Sequence, residues 1–129
     1  MSSELTGIGV SLISVPRFAR ALERFEGRLL ERIFLPEEIA YAGRKRNGVQ
    51  HLAARFAAKC AARSLLRSRG ARGVSLRDLE VAREASGEPK LVLHRTPPQA
   101  GSAAPQGFSL SLSHDAEFAL ASLWAEREP

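Results

Sequence analysis

Four side chains in two short stretches carry the chemistry of proton transfer or nucleophilic attack: Lys59 and Cys60 in RFAAKCAAR, and His114 and Asp115 in SLSHDAE. A cysteine attacks as its thiolate. Cations at Lys59 and Arg63, with the His114 imidazole brought into the same cleft, are surroundings that lower a thiol pKa. Plainer roles compete with this one. Cys60 falls on the apolar stripe of a helix, where a small inert residue fills space, and His114 stands at a turn, where it can bond to Asp115 or to the backbone. Lys59 is either a site cation or a solvated helix charge. A zinc site built from Cys60 with His51, His94 or His114 lacks any of the usual ligand spacings.

These residues depend on the elements that carry them. Residues 5–13, LTGIGVSLI, alternate as a strand does, with Ile8, Val10 and Leu12 on one face and Gly7, Gly9, Ser11 and Ile13 on the other. The GxG inside it lacks the third glycine of a nucleotide fingerprint. Ser14 and Pro16 mark a helix start, after which Phe18, Leu22, Phe25 and Leu29 repeat at helical spacing beside a basic stripe of Arg17, Arg20, Arg24 and Arg28. A solvated helix face explains that stripe as well as a docking surface does. A short helix is expected from Pro36, then a loop at RKRNG.

The next helix is the most regular feature of the chain. Val49, Leu52, Ala53, Phe56, Ala57, Cys60, Ala61 and Ser64 predict its buried face, and Arg55, Lys59, Arg63 and Arg67 an outer basic one, with Gly70 as the stop. VSLRDLEVA, KLVLH, FSLSLSH and EFALASLWA read as strands. ASGEP joins the first two, HDAE the last two, and RTPPQAGSAAPQG forms a flexible loop between the pairs. This order predicts one α+β domain over residues 1–129, a long central helix packed on an antiparallel sheet.

With 129 residues, 44% hydrophobic and 26% charged, the chain suits a single core and carries no apolar run long enough for a bilayer. It shows no secretion signal and has one cysteine, so a cytoplasmic location is expected. The net charge of +5 suggests an acidic partner. Nucleic acid is disfavoured: there is no zinc-finger spacing and no aromatic ribonucleoprotein motif.

Taken in order, GIGVSLISVPRF, ERIFLPEEIAYA, LAARFAAKCAARSLL, VSLRDLEV, SGEPKLVL and SLSHDAEFALA resemble the holo-acyl-carrier-protein synthases, the small 4'-phosphopantetheinyl transferases. The resemblance implies the 4'-phosphopantetheinyl transferase-like fold and a homotrimer with sites between subunits. It also implies transfer of phosphopantetheine from coenzyme A to a serine of an acyl carrier protein. Such carriers are acidic, so the resemblance makes Arg17, Arg20, Arg24 and Arg28 a docking stripe. Arg55, Phe56 and Lys59 match RFAAK, Gly87 and Pro89 match a G-x-P turn, and Ser111, Ser113, His114 and Asp115 match a segment near the coenzyme. Arg55, Lys59, Gly87, Pro89, Ser111, Ser113 and His114 are accordingly the implied coenzyme A or phosphopantetheine contacts.

At the reacting centre the chain departs from that pattern. Family members place an aspartate in GIGxD and a glutamate in RFAAKE to hold magnesium, and here those positions are Ser11 and Cys60. A hydroxyl is a neutral, weaker ligand and a thiol is soft, so neither suits a hard cation, and no metal site is expected. A lysine often found four residues after the glutamate is Ser64. The expectation is a synthase-like protein that recognises an acyl carrier protein, coenzyme A or phosphopantetheine. In it the magnesium-dependent transfer is lost or replaced by another role in lipid or polyketide biosynthesis. The alternative is an active transferase whose ion is held by Glu38, Asp115 or the coenzyme diphosphate.

Overall fold

The alternating N-terminal stretch forms strand β1, Leu5–Ser14, and Ser14 then caps helix α1, Val15–Arg24, its hydroxyl accepting the Arg17 N–H at 3.3 Å. The computed structural model describes residues 5–95 and 107–126. The expected helix does not run on to Leu29. Glu26 and Gly27 adopt positive φ (50° and 86°), and a second helix, α2, spans Arg28–Ile33. Helix α3, Pro36–Gly43, begins at the expected proline, and α4 spans Gly48–Ser68, stopped by Gly70 at φ 85°.

VSLRDLEVA is only partly strand. Its first residues make a 3-10 turn, Leu76–Asp78, before β2, Leu79–Arg83. Gly87, at φ 93°, turns the chain into β3, Pro89–Leu93. The Pro- and Gly-rich loop expected next falls, from 96 to 106, outside the described residues. β4, Gly107–His114, and β5, Phe118–Glu126, complete an antiparallel sheet in the order β1-β5-β4-β3-β2.

Helix α4 crosses one face of this sheet, and α1 to α3 cover its other side. The approach to β1 is close: a Cβ on Gly9 would lie 2.8 Å from the Ala61 carbonyl oxygen. Ala57, Ala61, Leu65 and Leu66 join Leu79, Val81, Leu91, Ala121 and Leu123 in one cluster. Leu52, Ala53 and Ala54 join Val15, Phe18, Ile33 and Phe34 in a second. Covered on both sides, α4 has no continuous outer basic face. Arg55 and Lys59 are buried (2% and 0% exposed), whereas Val49 and Ser64, expected inside, are exposed.

Candidate functional site

Helix α3 delivers Tyr41, the loop after it Arg44 and Lys45, helix α4 Arg55, and edge strand β2 Arg83. All four cations gather on one aromatic ring. The Arg55 guanidinium lies 4.3 Å from the Tyr41 ring centre, Lys45 Nζ 4.8 Å, Arg83 5.0 Å and Arg44 5.9 Å. Arg83 Nη1 donates to the Gly87 carbonyl at 2.6 Å, so the left-handed glycine turn holds this arginine in place. Tyr41, Arg44, Arg55 and Arg83 line a cleft of about 560 Å³, whose wall also carries Glu37, Glu38 and Glu80.

The first turns of α4 add a second group. The His51 ring meets Tyr41 edge-on at 5.8 Å and His114, at the end of β4, at 4.7 Å. His114 Nδ1 is 2.9 Å from Gln50 Oε1, so its partner lies on α4 and not at Asp115. Arg55 Nη1 donates to the His51 carbonyl at 3.3 Å, while its buried Nε has no hydrogen-bond partner among the described residues. A buried guanidinium with an unused donor, among three further cations, suits a ligand with several negative oxygens.

The electrostatics agree. Burial raises the Tyr41 phenol pKa, yet Arg83, Lys45 and Arg55 outweigh it, and the net shift is downward. Burial lowers the His51 pKa, and His114, Arg55, Lys45 and Arg83 push it the same way, which keeps the imidazole neutral near pH 7. Burial and Arg83 also lower the Arg55 pKa, against opposition from Tyr41 and Glu38.

Lys59 has a different place from the one the sequence suggests. It is neither a solvated charge nor open to the cleft: Nζ donates to Glu38 Oε1 at 2.6 Å and to the Ile33 carbonyl at 2.7 Å. Glu38 is equally committed, accepting Leu35 N–H at 2.9 Å through Oε1 and Val81 N–H at 2.9 Å through Oε2. Asp115 organises the β4–β5 turn, its Oδ1 accepting from Glu117 N–H at 2.7 Å and Phe118 N–H at 2.8 Å. Those backbone bonds hold its carboxyl pKa down.

Ser11 and Cys60 lie along the seam between β1 and α4, both half-buried. Burial raises the Cys60 pKa against the pull of Arg63, so the group is a neutral thiol at pH 7. With a hydroxyl and a protonated thiol at these two positions, the residues present do not fit magnesium. Ser111 and Ser113 are exposed on the sheet face turned away from α4, in register with Ser122 and Leu120. Of the basic stripe, Arg17, Arg20 and Arg24 are exposed on α1, and Arg28 is exposed at the start of α2. Beside Arg17, Phe18, Leu29, Ile33 and Phe56 line an apolar hollow of about 320 Å³.

Tyr41, Arg44, Lys45 and Arg83 were absent from the sequence-based site, and His51 entered it only as a disfavoured zinc ligand. Their signal is present in AYAGRKR and in the E-V-A-R of β2, but only the meeting of α3, α4 and β2 gives it meaning.

A sequence model of the 4'-phosphopantetheinyl transferase superfamily matches residues 7–123. A holo-[acyl-carrier-protein] synthase of Koribacter versatilis is 40% identical over 127 residues, covering 95% of this chain and 98% of its own. One from Geobacter sp. (strain M21) is 39% identical over 125 residues, covering 94% and 98%. Among solved structures, the Helicobacter pylori holo-[acyl-carrier-protein] synthase in complex with coenzyme A superposes with a TM-score of 0.75 at 28% identity, covering 91% of this chain and 97% of that one. The Neisseria meningitidis synthase gives 0.78 at 29%, covering 96% and 100%.

Proposed function

The chain belongs to the 4'-phosphopantetheinyl transferase superfamily, and on that premise we propose that it binds coenzyme A or a phosphopantetheine-bearing ligand and recognises an acidic acyl carrier protein, without the usual magnesium-dependent transfer. The observation that carries this is the pairing of a well-formed cationic cleft with an unsuitable metal position. Arg55, Lys45, Arg44 and Arg83 converge on one ring, while Ser11 and a protonated Cys60 stand where the family places carboxylates. Phosphates are retained by the former. A divalent ion that would neutralise charge on the transferring group finds no carboxylate at Ser11 or Cys60 to hold it.

In this reading Arg17, Arg20, Arg24 and Arg28 meet the acidic carrier, and the hollow beside Arg17 takes an apolar side chain of it. His114, one ring away from His51, borders the nucleotide. The protein works as a homotrimer in the cytoplasm, and no helix among the described residues is long and apolar enough to cross a membrane. Its role lies in lipid or polyketide biosynthesis.

A second reading, an active transferase, is favoured by the extent of likeness to holo-[acyl-carrier-protein] synthases. Its ion ligands are then fewer than first considered. Both Glu38 oxygens are engaged, whereas the Asp115 turn bonds use Oδ1 alone, which leaves Asp115 Oδ2 and the coenzyme diphosphate.

One experiment separates the two. Apo carrier proteins are incubated with coenzyme A, magnesium and either the natural chain or its Ser11→Asp plus Cys60→Glu variant, and carrier masses are read. We expect no mass gain with the natural chain and modification with the double variant, alongside calorimetric binding of coenzyme A to both. Phosphopantetheine added by the natural chain overturns the proposal in favour of the transferase.

A further inference from the structure

A buried pair of opposite charges, Glu38 and Lys59, stands at the wall of the cleft. Glu38 and Lys59 are 2% and 0% exposed, and their charged atoms bond to each other and to three backbone groups. Glu38 Oε1 takes Lys59 Nζ and the Leu35 N–H that opens α3. Glu38 Oε2 accepts Val81 N–H on the free edge of β2, and Lys59 Nζ donates to the Ile33 carbonyl that ends α2. The ammonium also faces the Phe34 ring at 5.1 Å.

The residues beyond each anchor are the cleft cations and their ring. Tyr41 stands three residues after Glu38 on α3, Arg55 four residues before Lys59 on α4, and Arg83 two residues after Val81 on β2. Each spacing returns a side chain to the anchor's own face of its element. We propose that the buried Glu38–Lys59 pair is the positioning device of the cationic cleft, fixing the three segments that deliver Tyr41, Arg55 and Arg83 and thereby setting affinity for a phosphate-bearing ligand. The inference rests on the coenzyme reading of the cleft.

Stability alone is a poor account of the pair. Desolvation of two charges offsets most of their attraction, and well-packed apolar residues of similar size commonly fill such a place without loss. What an apolar pair lacks is direction. Four bonds from two side chains fix how α2, α3, α4 and β2 sit relative to one another, and four cations held within 6 Å of one ring repel each other enough to spread once that frame loosens.

The test uses the only tyrosine of the chain. Its phenol titration, followed by absorbance in ligand-free protein, reports how closely the cations surround Tyr41, and calorimetry reports coenzyme A affinity separately. In the Glu38→Met plus Lys59→Met variant we expect a folded protein whose phenol titrates higher than the natural chain's and whose coenzyme A affinity falls about tenfold or more. Leu66→Ala, in the cluster away from the cleft, is expected to lower the melting temperature while leaving both readings unchanged. A folded double variant with unaltered titration and affinity overturns the proposal. Should that variant not fold, Glu38→Gln decides: it keeps an acceptor for Lys59 and Leu35 and loses the one for Val81, so an upward phenol shift supports positioning and an unmoved one removes it. If the natural chain binds no coenzyme A, the ligand reading fails, and the phenol titration still judges the positioning.

Discussion

Tyr41, His51 and Cys60 each have a pKa moved by burial or by neighbouring charge, which makes the residue scale directly measurable. The Tyr41 phenol titrates below its ordinary 10.0 because Arg83, Lys45 and Arg55 together outweigh the effect of burial. Arg83→Ala is expected to raise its titration, and added salt to do the same in the natural chain, since screening weakens the cations. Absorbance against pH checks both. For His51 the sign is that of a base destabilised in its charged form. Its folded pKa lies below the ordinary 6.5, so between those values the unfolded chain binds more protons and stability falls as the solution is acidified through that window. His51→Gln is expected to flatten the fall in urea midpoint between about pH 7 and pH 5. Cys60, neutral by burial, is expected to alkylate more slowly than free cysteine at pH 7. Reaction faster than free cysteine would revive a nucleophilic role.

Helix α4 shows at the scale of elements why part of the site was legible in the sequence and part was not. Its existence, its alanine-rich packing side and its glycine stop follow from spacing and local chemistry. The position of its charges does not, because an i, i+4 row of Arg55, Lys59, Arg63 and Arg67 has the same period whether it meets water or a second layer of helices. Only the fold, by laying α1 to α3 over α4, buries the first two. The α1–α2 break is a related case: FEG contained a glycine, but the apolar repeat ran through it, and positive φ at Glu26 and Gly27 overrode the repeat. Glycine on β1 is where element packing is most exacting. A Cβ at Gly9 would press on the Ala61 backbone of α4, which cannot swing aside as a side chain can. Gly9→Ala is therefore expected to cost about 1–3 kcal/mol, read as a lowered denaturation midpoint with native-like secondary structure.

At the scale of the whole molecule, the sheet has one face on α4 and another with no element of this chain against it among the described residues. That second face is apolar where β1 meets β5. Leu12 pairs with Leu120 and Ser14 with Phe118 across the strands, and Ile8, Val10, Leu12, Phe118 and Leu120 are 64%, 63%, 61%, 51% and 41% exposed. Alternation alone had placed Ile8, Val10 and Leu12 together, but it could not say which face the core would take. The glycines decide it, since only the Gly7 and Gly9 face admits α4. A contiguous apolar face of this kind suits a protein–protein contact, and in the homotrimer proposed above its occupant would be further copies of the same strands. A charge placed in it should then separate the copies without disturbing the monomer, because Val10 touches solvent and not the core in the isolated chain. Val10→Glu is expected to convert the light-scattering mass from three chains to one while leaving the circular dichroism spectrum unchanged. A natural chain that already runs as a monomer would show that this face serves another partner, and a trimer that survives the substitution would place its contacts elsewhere.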